Sequence, residues 1–278
     1  MTDRSEFEFT DKHFNWFVKL VLEKTGITLT EQKRDLVYGR LARRLRKLKF
    51  DNFDQYCKLL KDSPEEEMVD FVNSITTNLT SFYREAHHFE YLSNTVLKYL
   101  QETRRAEKRI RIWSAGCSTG EEPYTIAMTL RESIPNIDSW DVKILATDID
   151  TNVLAKASAG IYQKDKMTGV SDERFKKWFL KPSSDDSNEV KVSPKLRELI
   201  TFKQLNLMED WPMKGQFDVL FCRNVVIYFN KDTQRVLFER FANILKYDSY
   251  MFLGHSESLY KVTDRFTLLG KTIHQKAA

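Results

Sequence analysis

The chain has 278 residues, 41% of them apolar and 13% aromatic, with a formal charge of +4. Such a length and apolar share support a full core in two domains and exclude a disordered polymer, while so mild a charge does not by itself imply nucleic acid. Three widely spaced cysteines, Cys57, Cys117 and Cys222, give no readable disulfide or metal framework, which points to a reducing cytoplasm and to no bound metal.

Residues 1–10 are polar and acidic, unlike a signal peptide. No apolar run approaches the ~20 residues needed to span a bilayer, so a soluble protein without membrane insertion is expected. Residues 11 to about 85 read as helices. Phe14, Phe17, Val18, Val21 and Leu22 recur at helical spacing, and Gly26 closes that helix. Thr30 precedes a long helix from about Glu31 to Lys49, another runs from Asp54 to Leu60, and Ser63-Pro64-Glu65-Glu66 starts the next.

From about Arg109 the pattern changes. Strand-like runs at 110–113, 143–146, 200–204, 217–221 and 250–253 alternate with helical patterns. This predicts a mostly parallel sheet covered on both faces, with an antiparallel hairpin near 266–274 at its edge. The polar stretch from Gly160 to about Leu199 is too long for a connecting loop and predicts an inserted subdomain.

The segment Arg109-Ile-Arg-Ile-Trp-Ser-Ala-Gly-Cys-Ser-Thr-Gly-Glu-Glu122 reads as strand, glycine turn and helix, and Val142 to Asp150 as a strand ending in two acids. In such a unit the turn lets a ligand approach the backbone, and the acid binds ribose hydroxyls. The turn lacks the middle glycine of a dinucleotide fingerprint. A cofactor without phosphates, S-adenosylmethionine, fits better: Gly116 opens the turn, the helix N-terminus receives its carboxylate, Glu121 pairs with its amino group, and Asp148, in preference to Asp150, takes the ribose.

Three further segments, Thr76-Thr-Asn-Leu-Thr-Ser-Phe-Tyr-Arg-Glu85, Phe221-Cys-Arg-Asn-Val-Val-Ile-Tyr-Phe229 and Gly254-His-Ser-Glu257, stand with Trp113 to Tyr124. Together they resemble the chemotaxis receptor methyltransferases, the CheR family, along nearly the whole chain. The resemblance implies an α/β, Rossmann-like S-adenosylmethionine-dependent methyltransferase sheet in 89–278, with a small inserted β subdomain at about 160–200. An N-terminal helical domain would occupy 1–88. It implies that Asn78, Thr80 and Arg84 line the cofactor pocket from the domain junction, that Asn206 and Leu207 flank the adenine, and that Arg223 and Asn224 sit at the end of the fourth strand. Arg84 and Tyr228 are then best placed near the transferred methyl group, and S-adenosyl-L-homocysteine is the product.

The implied reaction is O-methylation of glutamate side chains on the cytoplasmic helices of chemoreceptors, serving chemotactic adaptation. A glutamate has a reference pKa of ~4.3 and is already the nucleophile at neutral pH. Arg84 and Tyr228 are therefore assigned orienting roles, not proton transfer, and a structural role is expected for His255 and Glu257. A nucleic-acid methyltransferase and a non-catalytic S-adenosylmethionine-binding module are the alternatives. The first lacks an Asn-Pro-Pro-Tyr-like segment, its place being taken by Arg223-Asn-Val-Val-Ile-Tyr228.

On the helix over 31–49, Val37, Leu41, Leu45 and Leu48 share one side, with Lys33, Arg40, Arg43, Arg44 and Lys47 on the other. This basic face complements receptor helices rich in Glu and Gln. It carries no interleaved aromatics for nucleic acid. The stretch Leu180 to Glu189 has no glycine, whereas family members that tether a receptor tail peptide carry a glycine-bearing loop there. Docking without that tether, as a monomer, is expected.

Overall fold

The computed structural model describes residues 6–180 and 188–277. Four helices come first: α1 Asp11–Thr25, α2 Arg34–Leu48, α3 Phe53–Asp62 and α4 Pro64–Ile75. Local chemistry sets their ends. Thr10 and His13 form a capping box at the start of α1, Gly26 closes it at φ +74°, and Asn52 caps α3 through the Gln55 N–H. Phe17, Leu41, Leu45, Phe53, Tyr56 and Phe71 are fully buried and pack these helices into one apolar cluster.

Two expectations about this region are corrected. Glu31–Lys33 form a separate 3-10 turn, so α2 begins at Arg34. The helical reading to about residue 85 fails beyond Ile75: residues 76–81 form no regular element and 82–86 form turns. Thr76 and Asn78 give their side chains to the Asp150 carboxylate at 2.6 and 2.7 Å, and Tyr83 and Glu85 take positive φ. Phe82 then packs with the sheet rather than with α1–α4.

α5 His87–Tyr91 continues through a π-turn into α6 Leu97–Thr103. β1 Arg109–Ala115, α7 Glu121–Ser133, β2 Asp141–Asp148 and α8 Thr151–Ala159 follow. Then come β3 Ile161–Gln163, α9 Asp172–Trp178, β4 Phe179–Leu180, β5 Glu189–Val192 and α10 Pro194–Arg197. The chain closes with β6 Ile200–Gln204, β7 Phe217–Cys222, α11 Lys231–Ile244, β8 Leu245–Leu253, β9 Phe266–Gly270 and β10 Ile273–Lys276.

Among the described residues the strands form a seven-stranded sheet in the order β6-β2-β1-β7-β8-β10-β9. β6, β2, β1, β7 and β8 run parallel, and β10 and β9 add the antiparallel edge hairpin. Each central strand divides its residues by period two. Ile110, Ile112, Val219 and Phe221 face α7 and one core cluster, while Trp113, Ala115, Leu220 and Cys222 face α11 and the other. β3, β5 and β4 form the small antiparallel sheet of the insert. The stretch 181–187, on which the tail-peptide argument depends, lies outside the described residues. No described helix is long and apolar enough to cross a membrane.

From β1 the chain moves outward to β2 and β6, then returns to lay β7 on the other side of β1. The carboxyl ends of β1 and β7 therefore border a topological switch point, where open α/β sheets leave a crevice for ligands.

Candidate active site

A cavity of about 290 Å³ occupies this crevice, between the strand ends and the helical region. Its walls come from stretches far apart in sequence. Asn78, Thr80 and Arg84 belong to the linker after α4, Gly116 and Asp148 to the ends of β1 and β2, Asn206 and Leu207 to the turn after β6, and Arg223, Asn224 and Tyr228 to the loop after β7. All the expected site residues except Glu121 thus line one cavity.

The turn after β1 depends on glycine. Gly116 (φ +78°) and Gly120 (φ +98°) adopt backbone conformations that L side chains rarely take. A Cβ on Gly116 would strike Val225 of the loop after β7, and one on Gly120 would lie 2.8 Å from Ala157 Cβ. The N–H groups of Gly116 and Cys117 both donate to the Thr147 carbonyl, at 2.8 and 2.9 Å, tying the turn to β2.

Two acids close β2 with different duties. Asp148 lines the cavity, buried, and its oxygens each accept one backbone N–H, from Ser118 at 2.8 Å and Asp150 at 3.0 Å. Burial pushes its carboxyl up, and those N–H groups oppose the shift. Each oxygen keeps a further acceptor site for a ligand hydroxyl. Asp150 is spent elsewhere: Oδ1 caps α8 through Asn152 and Val153, and Oδ2 holds Thr76 and Asn78. The Asn78 carbonyl in turn accepts the Ser118 hydroxyl at 2.9 Å.

The first turn of α7 corrects the Glu121 expectation. Glu121 accepts the Thr119 hydroxyl at 2.7 Å, on the side of the helix towards Lys156, and does not line the cavity. The next residue does: Glu122 is buried, accepts the Ser114 hydroxyl at 2.7 Å and pairs with Arg223 at 3.0 Å. One residue is a 100° step on a helix, so neighbouring acids point to different walls. The sequence offered two equivalent glutamates; only the apposition of β1 and β7 against α7 separates them.

Arg223 is nearly buried, yet well surrounded. Besides Glu122 it donates to the Arg84 carbonyl, lies 3.4 Å from Glu85 Oε2, and sits over the Phe89 ring. Burial pushes the Glu85 carboxyl up, but hydrogen bonds from His255 and the charge of Arg223 bring it down to about 2. The loop bearing Arg223 has no glycine; its main chain is held by Glu257, whose carboxylate accepts the N–H groups of Asn224, Val225 and Ile227.

At the mouth, Arg84 Nη1 donates to the Leu79 carbonyl at 2.9 Å, leaving the rest of its fork free to face the cavity. Tyr228 ends a 3-10 turn, and its carbonyl accepts the Thr28 N–H at 2.8 Å, joining the loop to the chain beyond α1. Arg40 also lines the cavity, donating to the Ile75 carbonyl and to Thr77 Oγ1, close enough to Tyr228 to interact with it electrostatically. Asn206 spends its amide on the Lys24 carbonyl (2.7 Å), and its Oδ1 accepts the Met208 N–H.

α2 does not present the basic face as expected. Arg44 is buried with the apolar side, forked onto Glu67 at 2.8 and 2.5 Å and close to Asp70. The acids that neutralise it come from α4, invisible to a wheel drawn on α2 alone. Lys33, Arg43 and Lys47 remain exposed. Among the described residues no histidine or cysteine lines the cavity.

These residues suit an adenosine-bearing cofactor lacking phosphates: a bare turn at Gly116, an acid with spare acceptor sites at the end of β2, and further polar walls from separate loops. Comparisons with known proteins agree. The family model "CheR methyltransferase, all-alpha domain" matches residues 12–76, and "CheR methyltransferase, SAM binding domain" matches 78–274. The chain is 40% identical over 277 residues to the "Chemotaxis protein methyltransferase" of Escherichia coli K12, covering 99% of this chain and 93% of that one. It is 41% identical over 273 residues to "Chemotaxis protein methyltransferase 2" of Pseudomonas aeruginosa, covering 98% and 95%. With both domains matched in order and a relative of this identity spanning almost the full length, the chain belongs to the CheR methyltransferase family and carries its S-adenosylmethionine-binding domain.

Proposed function

We propose that the protein methylates glutamate side chains on the cytoplasmic helices of chemoreceptors, producing glutamate methyl esters for chemotactic adaptation. One observation carries this reading: Arg84 and Tyr228 stand in the same cavity as Asp148, with no histidine or cysteine among the described residues that line it to act as base. When bound, S-adenosylmethionine supplies a methyl group already activated by its sulfonium. The protein's work is therefore alignment and exclusion of water, and effective molarity can supply roughly 7–11 kcal/mol of such a barrier.

Asp148 takes the ribose hydroxyls. Glu122, in place of Glu121, faces the cofactor's amino group; burial pushes its carboxyl up, and the charge of Arg223 and the Ser114 hydroxyl oppose that push. Asn206 and Leu207 border the adenine, while Thr80, Asn78 and Asn224 complete the walls. Arg84 and the Tyr228 hydroxyl orient the incoming carboxylate; neither needs to move a proton, because the acceptor is ionised at neutral pH. The apolar cores divide between Ile75 and Phe82, and we read the helices before that join as the receptor-docking part. Lys33, Arg40 and Arg43 there supply positive charge towards acidic helices.

The test is transfer of labelled methyl from the cofactor to receptor cytoplasmic fragments. Base-labile methyl esters on protein are expected. Label on nucleic acid, or cofactor binding without transfer, would overturn the reading.

A further inference from the structure

The strap Gly254 to Glu257, directly after β8, has no part in the chemistry above, yet it touches the site from two sides. Glu257 is 4% exposed. Its Oε2 accepts the N–H groups of Gly254 at 2.5 Å and Asn224 at 2.9 Å, and its Oε1 those of Val225 at 2.8 Å and Ile227 at 3.3 Å. Three of these four donors belong to the loop that carries Arg223, Asn224 and Tyr228 to the cavity. Asn224 holds φ +59°, uncommon for a residue with a side chain. Its N–H points at the strap, where a Cβ on Gly254 would lie only 2.8 Å from the Asn224 nitrogen. His255 reaches the same loop indirectly: its main-chain N–H and its ring meet Glu85 Oε1 at 3.3 and 2.9 Å, and Glu85 Oε2 lies beside Arg223.

An isolated buried carboxylate is costly, and its cost is offset when several N–H groups converge on it. Here those donors are the main chain of one loop, so the charge fixes that loop's shape. The turn after β1 gets its shape from glycines; the loop after β7 has none. We propose that Glu257 is a positioning residue for methyl transfer, holding the loop 223–228 so that Asn224 and Tyr228 face the cavity. The inference rests on the reading of Tyr228 as the residue that orients the acceptor carboxylate.

The test compares full-length Glu257→Gln with wild type and with Asp218→Asn. Asp218 is as buried a carboxylate, at the opposite end of β7, where it holds the Arg111 N–H and Lys246 at 2.8 Å each. Methyl transfer to receptor fragments is measured well below each melting temperature, with binding of S-adenosylhomocysteine followed by calorimetry. Glu257→Gln turns an amide donor onto two N–H groups. It should lower kcat by about 10-fold to 100-fold, weaken the bound product, and leave KM for the receptor fragment near wild type. Asp218→Asn should lower the melting temperature without changing kcat.

Wild-type kcat in folded Glu257→Gln, or the same loss in both variants in proportion to stability, would overturn the proposal. Should Glu257→Gln fail to melt cooperatively, Gly254→Ala displaces the loop from outside and must show the same split; an unchanged kcat there counts equally against it. Absence of protein methyl esters with the wild-type chain would sink the methylation reading instead. In that case weakened product binding in Glu257→Gln still decides whether Asn224 is anchored by the strap.

Discussion

Two loops border the cavity, and they are held in different ways. The turn after β1 is shaped by residues within itself: Gly116 and Gly120 accept positive φ, and backbone bonds from Gly116 and Cys117 tie it to the neighbouring strand. The loop after β7 has ordinary side chains and is held by a carboxylate 30 to 33 residues further along the chain. The first solution resists displacement because it is backbone on backbone. The second depends on one buried charge and on the ion pairs around Arg223, so it responds to anything that alters charge.

The largest disturbance should come where the two loops touch. Gly116→Val combines a strained backbone with a collision against Val225, and about 2–5 kcal/mol of stability should be lost. Calorimetry should find no cofactor binding. A variant that binds normally would show that the turn is not pressed against the second loop.

Asp148→Ala removes the acid that lines the cavity and with it the acceptor of the Ser118 N–H in the first loop. Charge-assisted hydrogen bonds contribute about 1.5–3 kcal/mol each, so cofactor affinity should fall at least 10-fold to 100-fold. Unchanged affinity would refute the ribose assignment.

Acid should weaken the fold as a whole, through two buried histidines on α5 and β10. Burial, and then the nearby Arg223, lower His88 from 6.5 to about 4; burial lowers His274 likewise. Between those values the unfolded chain binds protons that the folded chain refuses. Stability present above pH 6.5 is therefore lost as pH falls towards 4, by roughly 2 kcal/mol per histidine at pH 5. Melting curves across this window check it, and His88→Asn should flatten the dependence. A melting temperature constant from pH 7 to 5 would contradict it.

The smallest effect lies outside both loops. Charge reversal at Arg43 and Lys47 should reduce transfer to receptor fragments several-fold at low salt and little at high salt. Cofactor affinity should stay unchanged. Arg44 is unsuitable for this experiment, because reversing it would leave Glu67 buried without its partner.

The contrast also explains what could be read in advance. Strand-like runs alternating with helical patterns revealed the strands, with β8 beginning five residues earlier than expected, and the edge hairpin appeared at 266–276 as anticipated. The glycine turn and the acids ending β2 were visible because their chemistry is local. Glu122 was missed because its distinction from Glu121 lies in which wall each faces. The burial of Arg44 was missed because Glu67 and Asp70 come from another helix. The linker 76–86 was misread because Thr76 and Asn78 at its start are held by Asp150, more than seventy residues away.

That last contact bears on modularity. Asp150 closes a helix with one oxygen and clasps the linker with the other. Exchanging the first 75 residues for a different helical cap would keep the catalytic half intact only if Thr76 and Asn78 travelled with that half. A graft cut downstream of them would leave the clasp empty and the cleft between the two halves without a fixed width.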